Sequence, residues 1–321
     1  MKRIILEGVP LEVKDYLCAD SRYPDSYLPK WKQALWLYVN VTDRCNARCP
    51  FCVAGAKPEL RHQVEPEKFF NMLDKIKDHV YGISFTGGEP ALDLDLLGTL
   101  VEGTVDRVVN EIELDMVTNG INLQTLSQMP WIRYFTSIHI SRHAIDDGEN
   151  RRILGFPAPS SEEIAAFVAS LRDPGKVVLN CVMQKGGVST MEQVCTYLDH
   201  AIQMRVRKTS FITMFRANEY CSRHFVCGAD FPVMKETELE AWNRDCPERK
   251  ISILNRQQDH SFCRCASGVY ASPEDSTLFY FRCPGKDAAP DYCRQLVYTA
   301  ENQLQDGFGS GRTVILSADS L

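Results

Sequence analysis

No apolar stretch in the chain approaches the roughly 20 residues that a membrane-spanning helix needs, so a helical membrane anchor is not expected. There is no basic run and no stripe of Lys and Arg. With 36 Lys and Arg against 42 Asp and Glu the net charge is −6, which does not favour a nucleic-acid-binding surface. No internal repeat and no low-complexity tract appears. The basic start at Met1-Lys2-Arg3 lacks a signal-peptide core behind it, because Glu7, Glu12, Lys14 and Asp15 interrupt the apolar residues. The expected location is the cytoplasm, with neither membrane nor nucleic acid as partner. A complete disulfide framework is also missing, since the 13 cysteines are an odd number.

Cysteine is nonetheless abundant for a chain of this kind. In a reducing compartment, unusual cysteine spacing points to metal binding or catalysis. Three cysteines fall within residues 45–52, the next is Cys181, and six lie between Cys227 and Cys293. Two separate cysteine centres are the simplest reading.

Residues 1–34 are mixed in character and read as an N-terminal cover. Strands and helices then alternate. Strands are expected at 34–41, 83–86, 112–118, 134–141, 176–183 and 206–215. Helices are expected at 65–80, 92–109, 121–129, 160–173 and 190–204. Ser160 and Glu163 form a capping-box pattern at the start of the fourth helix. Strand–helix alternation repeated six times implies a parallel α/β sheet covered by helices, as a closed barrel, a partial barrel or an open sheet. Polar or Gly-rich clusters stand at the C-terminal ends of the strands, at 43–52, 87–90, 119–120 and 141–143, with Asn180 inside the fifth strand. That edge carries the active site in parallel α/β folds.

The first cluster reads VTDRCNARCPFCVAG. Cys45, Cys49 and Cys52 are spaced C-x3-C-x2-C. Three thiolates hold three irons of a 4Fe–4S cluster and leave the fourth iron open to a small ligand, as a catalytic rather than a structural centre does. Zinc would want a second CxxC pair, and none lies nearby. A buried apolar segment would not carry Asp43, Arg44, Asn46 and Arg48.

This triplet, with Phe51 before its third cysteine, resembles the signature of the radical S-adenosylmethionine (SAM) superfamily. The resemblance covers about residues 35–215 and implies a partial (βα)6 barrel. It implies a cluster that binds S-adenosyl-L-methionine and cleaves it reductively, giving a 5′-deoxyadenosyl radical that abstracts hydrogen from substrate. Gly87-Gly88-Glu89-Pro90 resembles the family motif that meets the methionine amino group. Asn119, Ser141, Arg142 and Asn180 match strand-end positions that touch the cofactor, and Phe51 matches one that leans on adenine.

Residues 265–283 read as a hairpin with a turn at Pro273-Glu274-Asp275-Ser276 and a cysteine at each base. Region 216–321 resembles the auxiliary-cluster domain, called twitch or SPASM, that follows many radical SAM barrels, nearest the molybdenum-cofactor cyclase branch. It implies a small C-terminal β-hairpin iron–sulfur domain with a second 4Fe–4S cluster, for which Cys263, Cys265, Cys283 and Cys293 are the ligands to consider, with Cys227 and Cys246 as further ones. The match is loose, since Gly268 stands where that branch has a cysteine.

His139, His143, Asp146, Asp147 and Glu149 read as loop charge or cofactor-side contacts, Arg151-Arg152 as surface, and Cys221 as a buried thiol. The expected enzyme acts on a small molecule in natural-product or cofactor biosynthesis, with an external reductase such as flavodoxin or ferredoxin. The N-terminal stretch is short for a leader-peptide-binding domain, so a short ribosomal peptide is the second substrate class. An electron-transfer protein and a zinc-stabilised interaction protein are the rivals from other classes.

Overall fold

The computed structural model describes residues 2–13, 35–53, 59, 61–108, 112–216, 218–226, 235–256, 266–282, 293, 295–308 and 311–321. The chain starts with a hairpin that the reading of 1–34 as a plain cover did not contain, strands β1 (Lys2–Leu6) and β2 (Val9–Val13). Its two-residue turn puts Glu7 at φ 48° and Gly8 at φ 81°, the left-handed pair that matches strand twist. Ile4, Leu6, Leu11 and Val13 are buried in the main core.

Six strands follow in the expected order: β3 (Leu35–Thr42), β4 (Val80–Gly87), β5 (Glu113–Thr118), β6 (Ser137–Ser141), β7 (Val177–Met183) and β8 (Lys208–Thr213). Between them run α1 (Pro66–Ile76), α2 (Leu94–Arg107), α3 (Leu123–Leu126), α4 (Asp147–Leu154), α5 (Ser161–Ser170) and α6 (Met191–Gln203). All six strands pair in parallel with their sequence neighbours. Helix α1 stops short of the expected residue 80, because a turn of 3-10 helix at Lys77–His79 hands Val80 to β4. Helix α4 falls where the residue pattern reads as loop. It has no long apolar stripe, but Asp146 caps it by accepting from Glu149 N, and Gly155 at φ 70° ends it.

Further on come α7 (Glu219–His224), α8 (Glu236–Asp245), β9 (Lys250–Arg256), β10 (Ala266–Ala271), β11 (Ser276–Arg282), β12 (Gln295–Tyr298), β13 (Leu304–Gln305) and β14 (Val314–Leu316). The expected hairpin is β10–β11, antiparallel with Ala266 opposite Phe281. It continues the main sheet, since β11 pairs in parallel with β8. At the other side β12 pairs in parallel with β3. One 12-stranded sheet results, open, with β14 and β9 at its ends. Its central eight strands are parallel.

Alternation along the strands sorts the two faces. Leu35, Leu37, Val39 and Val41 of β3 are fully buried, whereas Trp36, Tyr38 and Asn40 between them are half-buried. The buried set packs under α1, whose Phe69, Met72, Leu73 and Ile76 form its apolar stripe. Phe69 meets Phe85 edge-on at 6.2 Å, and Tyr197 of α6 meets Phe211 of β8 at 5.5 Å. The opposite face of β5 to β8 carries Asp115, Ser137, His139, Asn180 and Ser210, one polar patch through register partners Asp115–Ser137 and Asn180–Ser210.

Candidate functional site

The loop after β3 is fastened at its base. Asp43 N donates to His62 O at 3.0 Å, Arg44 N to the Thr42 hydroxyl at 3.1 Å, and Arg48 N to Leu154 O of α4 at 2.8 Å. Cys45, Cys49 and Cys52 are all half-exposed on this loop, with Cys52 N donating to Cys49 O at 3.2 Å. Burial pushes the Cys45 thiol up to about 11 and the Cys49 thiol up to about 12. For Cys49 the next causes are the charges of Cys52 and Cys45, so the three sulfurs feel one another. Mutual repulsion among three thiolates is what a bound cation relieves. Two donors already point at Cys45 Sγ, the Ala47 N–H at 3.4 Å and the Asn119 amide at 3.9 Å. Hydrogen bonds to ligand sulfurs tune a cluster. The donor set therefore fits an iron–sulfur group carried by three thiolates.

The Gly-Gly-Glu-Pro turn leaves β4 and packs on that loop. Gly88 N donates to Thr42 O at 2.7 Å and Glu89 N to Arg44 O at 2.8 Å. A Cβ on Gly88 would lie 2.0 Å from Arg44 O, and one on Gly87, at φ 117°, would lie 2.8 Å from Thr42 O. The two glycines are required here because backbone meets backbone.

Glu89 is only 1% exposed. Its Oε1 accepts from Ala91 N at 3.0 Å and from the Thr118 hydroxyl at 2.7 Å, and its Oε2 from Asn119 N at 2.6 Å. The carboxylate ties the end of β4 to the end of β5. Burial raises it to about 7, against the pull of those three hydrogen bonds. Pro90 opens the short 3-10 turn that Glu89 caps. Asn119 is held by Glu89, donates its side-chain amide to Asn46 Oδ1 at 2.8 Å, and accepts from Ile121 N at 3.1 Å. The cysteine loop, the glycine turn and the end of β5 are thus one hydrogen-bonded unit. Thr42 and Thr118 hold it together, and sequence reading passed over both because a lone threonine at a strand end gives no signal.

Ser141 and Asn180 are register partners on neighbouring strands, with Arg142 N donating to Asn180 O at 2.9 Å. Arg142 parts company with them. Its side chain is fully buried behind the sheet, bonded to Asp147 at 2.7 Å, to the Ser161 hydroxyl at 3.0 Å, to the Ile145 carbonyl and to His200 at 3.3 Å. Together these fasten α4, α5 and α6 to β6. Arg142 therefore does not stand with the other strand-end residues. Phe51 is 8% exposed and packs with Ala144, Ile153, Met214 and Cys221, its ring edge-on to His143 at 4.9 Å. Burial drives the His143 imidazole down to about 3, so it is neutral, and its Nδ1 accepts from Val182 N at 3.1 Å.

Cys263, Cys265, Cys283 and Cys227 lie outside the described residues. Cys293 is buried beside β2, where its thiol reaches the carbonyls of Gln295 at 3.4 Å and Asp306 at 3.5 Å, and burial raises it to about 12. Among the described residues no three His, Cys, Asp or Glu side chains gather around a single ion position. No helix among them is long and apolar enough to cross a membrane. A surface cavity of about 570 Å³, lined by Asp199, Gln203, Cys246, Arg249, Pro273 and Glu274, opens at the N-terminal end of β11. That is the edge of the sheet opposite the cysteine loop.

Residues 39–195 match the family model described as Radical SAM superfamily. The chain is 29% identical over 177 residues to GTP 3',8-cyclase 2 of Pseudomonas aeruginosa, covering 52% of this chain and 50% of that protein. It is 26% identical over 166 residues to the probable GTP 3',8-cyclase of Methanosarcina mazei, covering 49% and 48%. It spans about half the length of the curated relatives it matches. Among solved structures it is similar to Streptococcus suis SuiB bound to S-adenosylmethionine, with a TM-score of 0.58, 15% identity, and 88% of this chain and 63% of that chain covered. At that identity the likeness carries the fold alone.

Proposed function

We propose that the chain, whose residues 39–195 match the radical SAM superfamily model, is a radical SAM enzyme that cleaves S-adenosylmethionine reductively to abstract hydrogen from a small molecule. The observation that carries the reading is the hydrogen-bonded unit at the strand ends, in which the Gly87–Pro90 turn and Asn119 are built directly onto the loop that bears Cys45, Cys49 and Cys52. Cys45, Cys49 and Cys52 would hold the 4Fe–4S cluster. When bound, cluster and cofactor together supply a carbon-centred radical able to attack an unactivated C–H bond.

The chain's own residues hold and orient. Gly87 and Gly88 bring a backbone edge next to the cysteines, where only the absence of a side chain permits it. Glu89 keeps that edge in place from below, and Asn119 aims its amide at Asn46 and Cys45. Ser141 and Asn180 are register partners on neighbouring strands, and Phe51, packed with Ala144, Ile153, Met214 and Cys221, is the apolar side chain beside the third cysteine. We assign Phe51, Gly87, Gly88, Glu89, Pro90, Asn119, Ser141 and Asn180 to the cofactor site, and place Arg142 behind it as a brace. Cys263, Cys265, Cys283 and Cys293 remain the proposed ligand set for a second 4Fe–4S cluster, and an external flavodoxin- or ferredoxin-type reductase the proposed electron source.

Anaerobic reconstitution tests the function. The reading expects iron and sulfide in the purified chain, and 5′-deoxyadenosine when S-adenosylmethionine and a strong reductant are added. GTP is the first substrate to try, because the matched relatives are named for acting on it. Zinc in place of iron would overturn the reading, and so would an intact cluster that leaves S-adenosylmethionine whole with every substrate offered.

A further inference from the structure

The polar face of β5 to β7 carries an ordered chain of three side chains, of which the cofactor site uses only Asn180. His139 is 5% exposed, Asp115 4% and Asn180 6%. His139 Nδ1 lies 3.0 Å from Asn180 Oδ1. An amide oxygen only accepts, so the imidazole proton in that contact sits on Nδ1. On the other side of the ring, Nε2 lies 3.4 Å from Asp115 Oδ2, within ion-pair range but not aligned for a hydrogen bond, and it is a buried nitrogen with no hydrogen-bond partner.

The consequence is for Asn180. An asparagine amide has an acceptor end and a donor end, and nothing intrinsic decides which way it points. Here His139 binds the oxygen, which turns the NH2 group the other way. The Asn180 amide nitrogen is not among the buried polar atoms without a partner, whereas Asn40 Oδ1, Ser137 Oγ, His139 Nε2 and Ser210 Oγ are. The donor end of Asn180 is therefore the polar end of this chain that meets open space, next to Ser141 at the strand-end rim.

We propose that His139 is a positioning residue that locks the Asn180 amide with its two N–H donors facing the cofactor, so that Asn180 recognises an acceptor oxygen such as a ribose hydroxyl. The inference rests on the radical SAM reading for the ligand's identity. Asp115 lies on the far side of the imidazole, its Oδ2 3.4 Å from Nε2. His139 touches no reacting atom.

The test is a double-mutant cycle on the reconstituted holoenzyme, with S-adenosylmethionine as the probe and equilibrium dialysis as the readout. His139→Leu removes the donor and frees the amide to flip. It should weaken S-adenosylmethionine binding about tenfold, the loss of one oriented hydrogen bond. His139→Asn replaces Nδ1–H with an amide N–H at the same distance along the side chain and should bind nearly as wild type does. In an Asn180→Ala background, His139→Leu should have no further effect. Thermal melts identify variants that fail to fold, and His139→Asn keeps the cycle readable if His139→Leu does. Equal losses from His139→Leu with and without Asn180 would overturn the proposal, as would wild-type affinity in His139→Leu or failure of His139→Asn to restore binding. Wild-type protein that does not cleave S-adenosylmethionine would sink the functional reading instead, so the two failures are distinct.

Discussion

The two halves of the strand-end rim are built differently. At the ends of β3, β4 and β5 the conspicuous residues support each other: Gly88 and Glu89 bond to the backbone of the cysteine loop, and the Glu89 carboxylate to the backbone of Asn119. At the ends of β6 and β7 the conspicuous residues separate. Ser141 and Asn180 stay at the rim, while Arg142 goes through to the helical layer. The first half is a scaffold in which the residues proposed for the chemistry also hold one another in place. The second half divides them, with the residues proposed for recognition on one face of the sheet and the Arg142 brace on the other. Substitutions in the first half should therefore damage stability and iron binding together, and in the second half one at a time.

The largest expected effect breaks the first half at its ligands. Cys49→Ala should abolish 5′-deoxyadenosine formation and lower the iron content, measured anaerobically against wild type. Full turnover in that variant would remove the cysteine loop from the chemistry.

Gly88→Ala should come next. The added methyl meets the Arg44 carbonyl at 2.0 Å, and neither backbone can yield without moving the cysteine loop. A cost of about 3 kcal/mol is expected, the upper range for overpacking, together with reduced iron retention. Denaturant melts and iron analysis read both. A variant as stable and as iron-loaded as wild type would show that the turn is not a support.

Glu89→Gln tests the buried carboxylate. Its partners Ala91 N, Asn119 N and the Thr118 hydroxyl are all donating, and an amide NH2 placed among them faces N–H with N–H. A loss of about 1–3 kcal/mol is expected from the unmatched donor. The pH dependence has a definite sign. Burial raises this carboxyl from the ordinary carboxylate range to about 7, so its protonated form is favoured in the folded chain. That contribution is fully present below the unfolded carboxylate value and is lost as pH rises through about 7. Wild type should lose more stability than Glu89→Gln between about pH 5 and about pH 8. Parallel pH profiles in the two proteins would contradict the assignment.

The smallest effect lies outside the rim. Ser160 and Glu163 form a reciprocal capping box at the start of α5. Ser160→Ala should cost about 1 kcal/mol of stability and leave S-adenosylmethionine cleavage unchanged. A loss of cleavage there would show that the helical layer acts on the rim more directly than the division between the two faces allows.

The same division explains what the sequence disclosed. The parallel order of β3 to β8 was legible because each strand alternates or runs apolar and the longer helices carry a stripe or a cap, as in Leu35–Thr42, at Phe69–Ile76 and at Ser160. The cysteine loop and the glycine turn were legible by residue type and spacing. Helix α4 was not, because its first turns are Asp, Gly, Glu and Asn, and only the Asp146 cap and the Gly155 stop mark it. The continuation of the sheet by β11 and β12 was not legible either, since pairing of strands distant in sequence leaves no local period to read. Nor was the path of Arg142, for a single residue type does not say on which side of a sheet its side chain ends. The bond from His139 to Asn180 joins residues 41 apart and has no motif at all.

Among possible measurements, one bears on the central claim most directly: quantifying 5′-deoxyadenosine after adding S-adenosylmethionine and a strong reductant to the anaerobically reconstituted chain. The account predicts its formation in wild type and none in Cys49→Ala. An iron-loaded wild-type protein that returns S-adenosylmethionine intact, with and without candidate substrates, would contradict it.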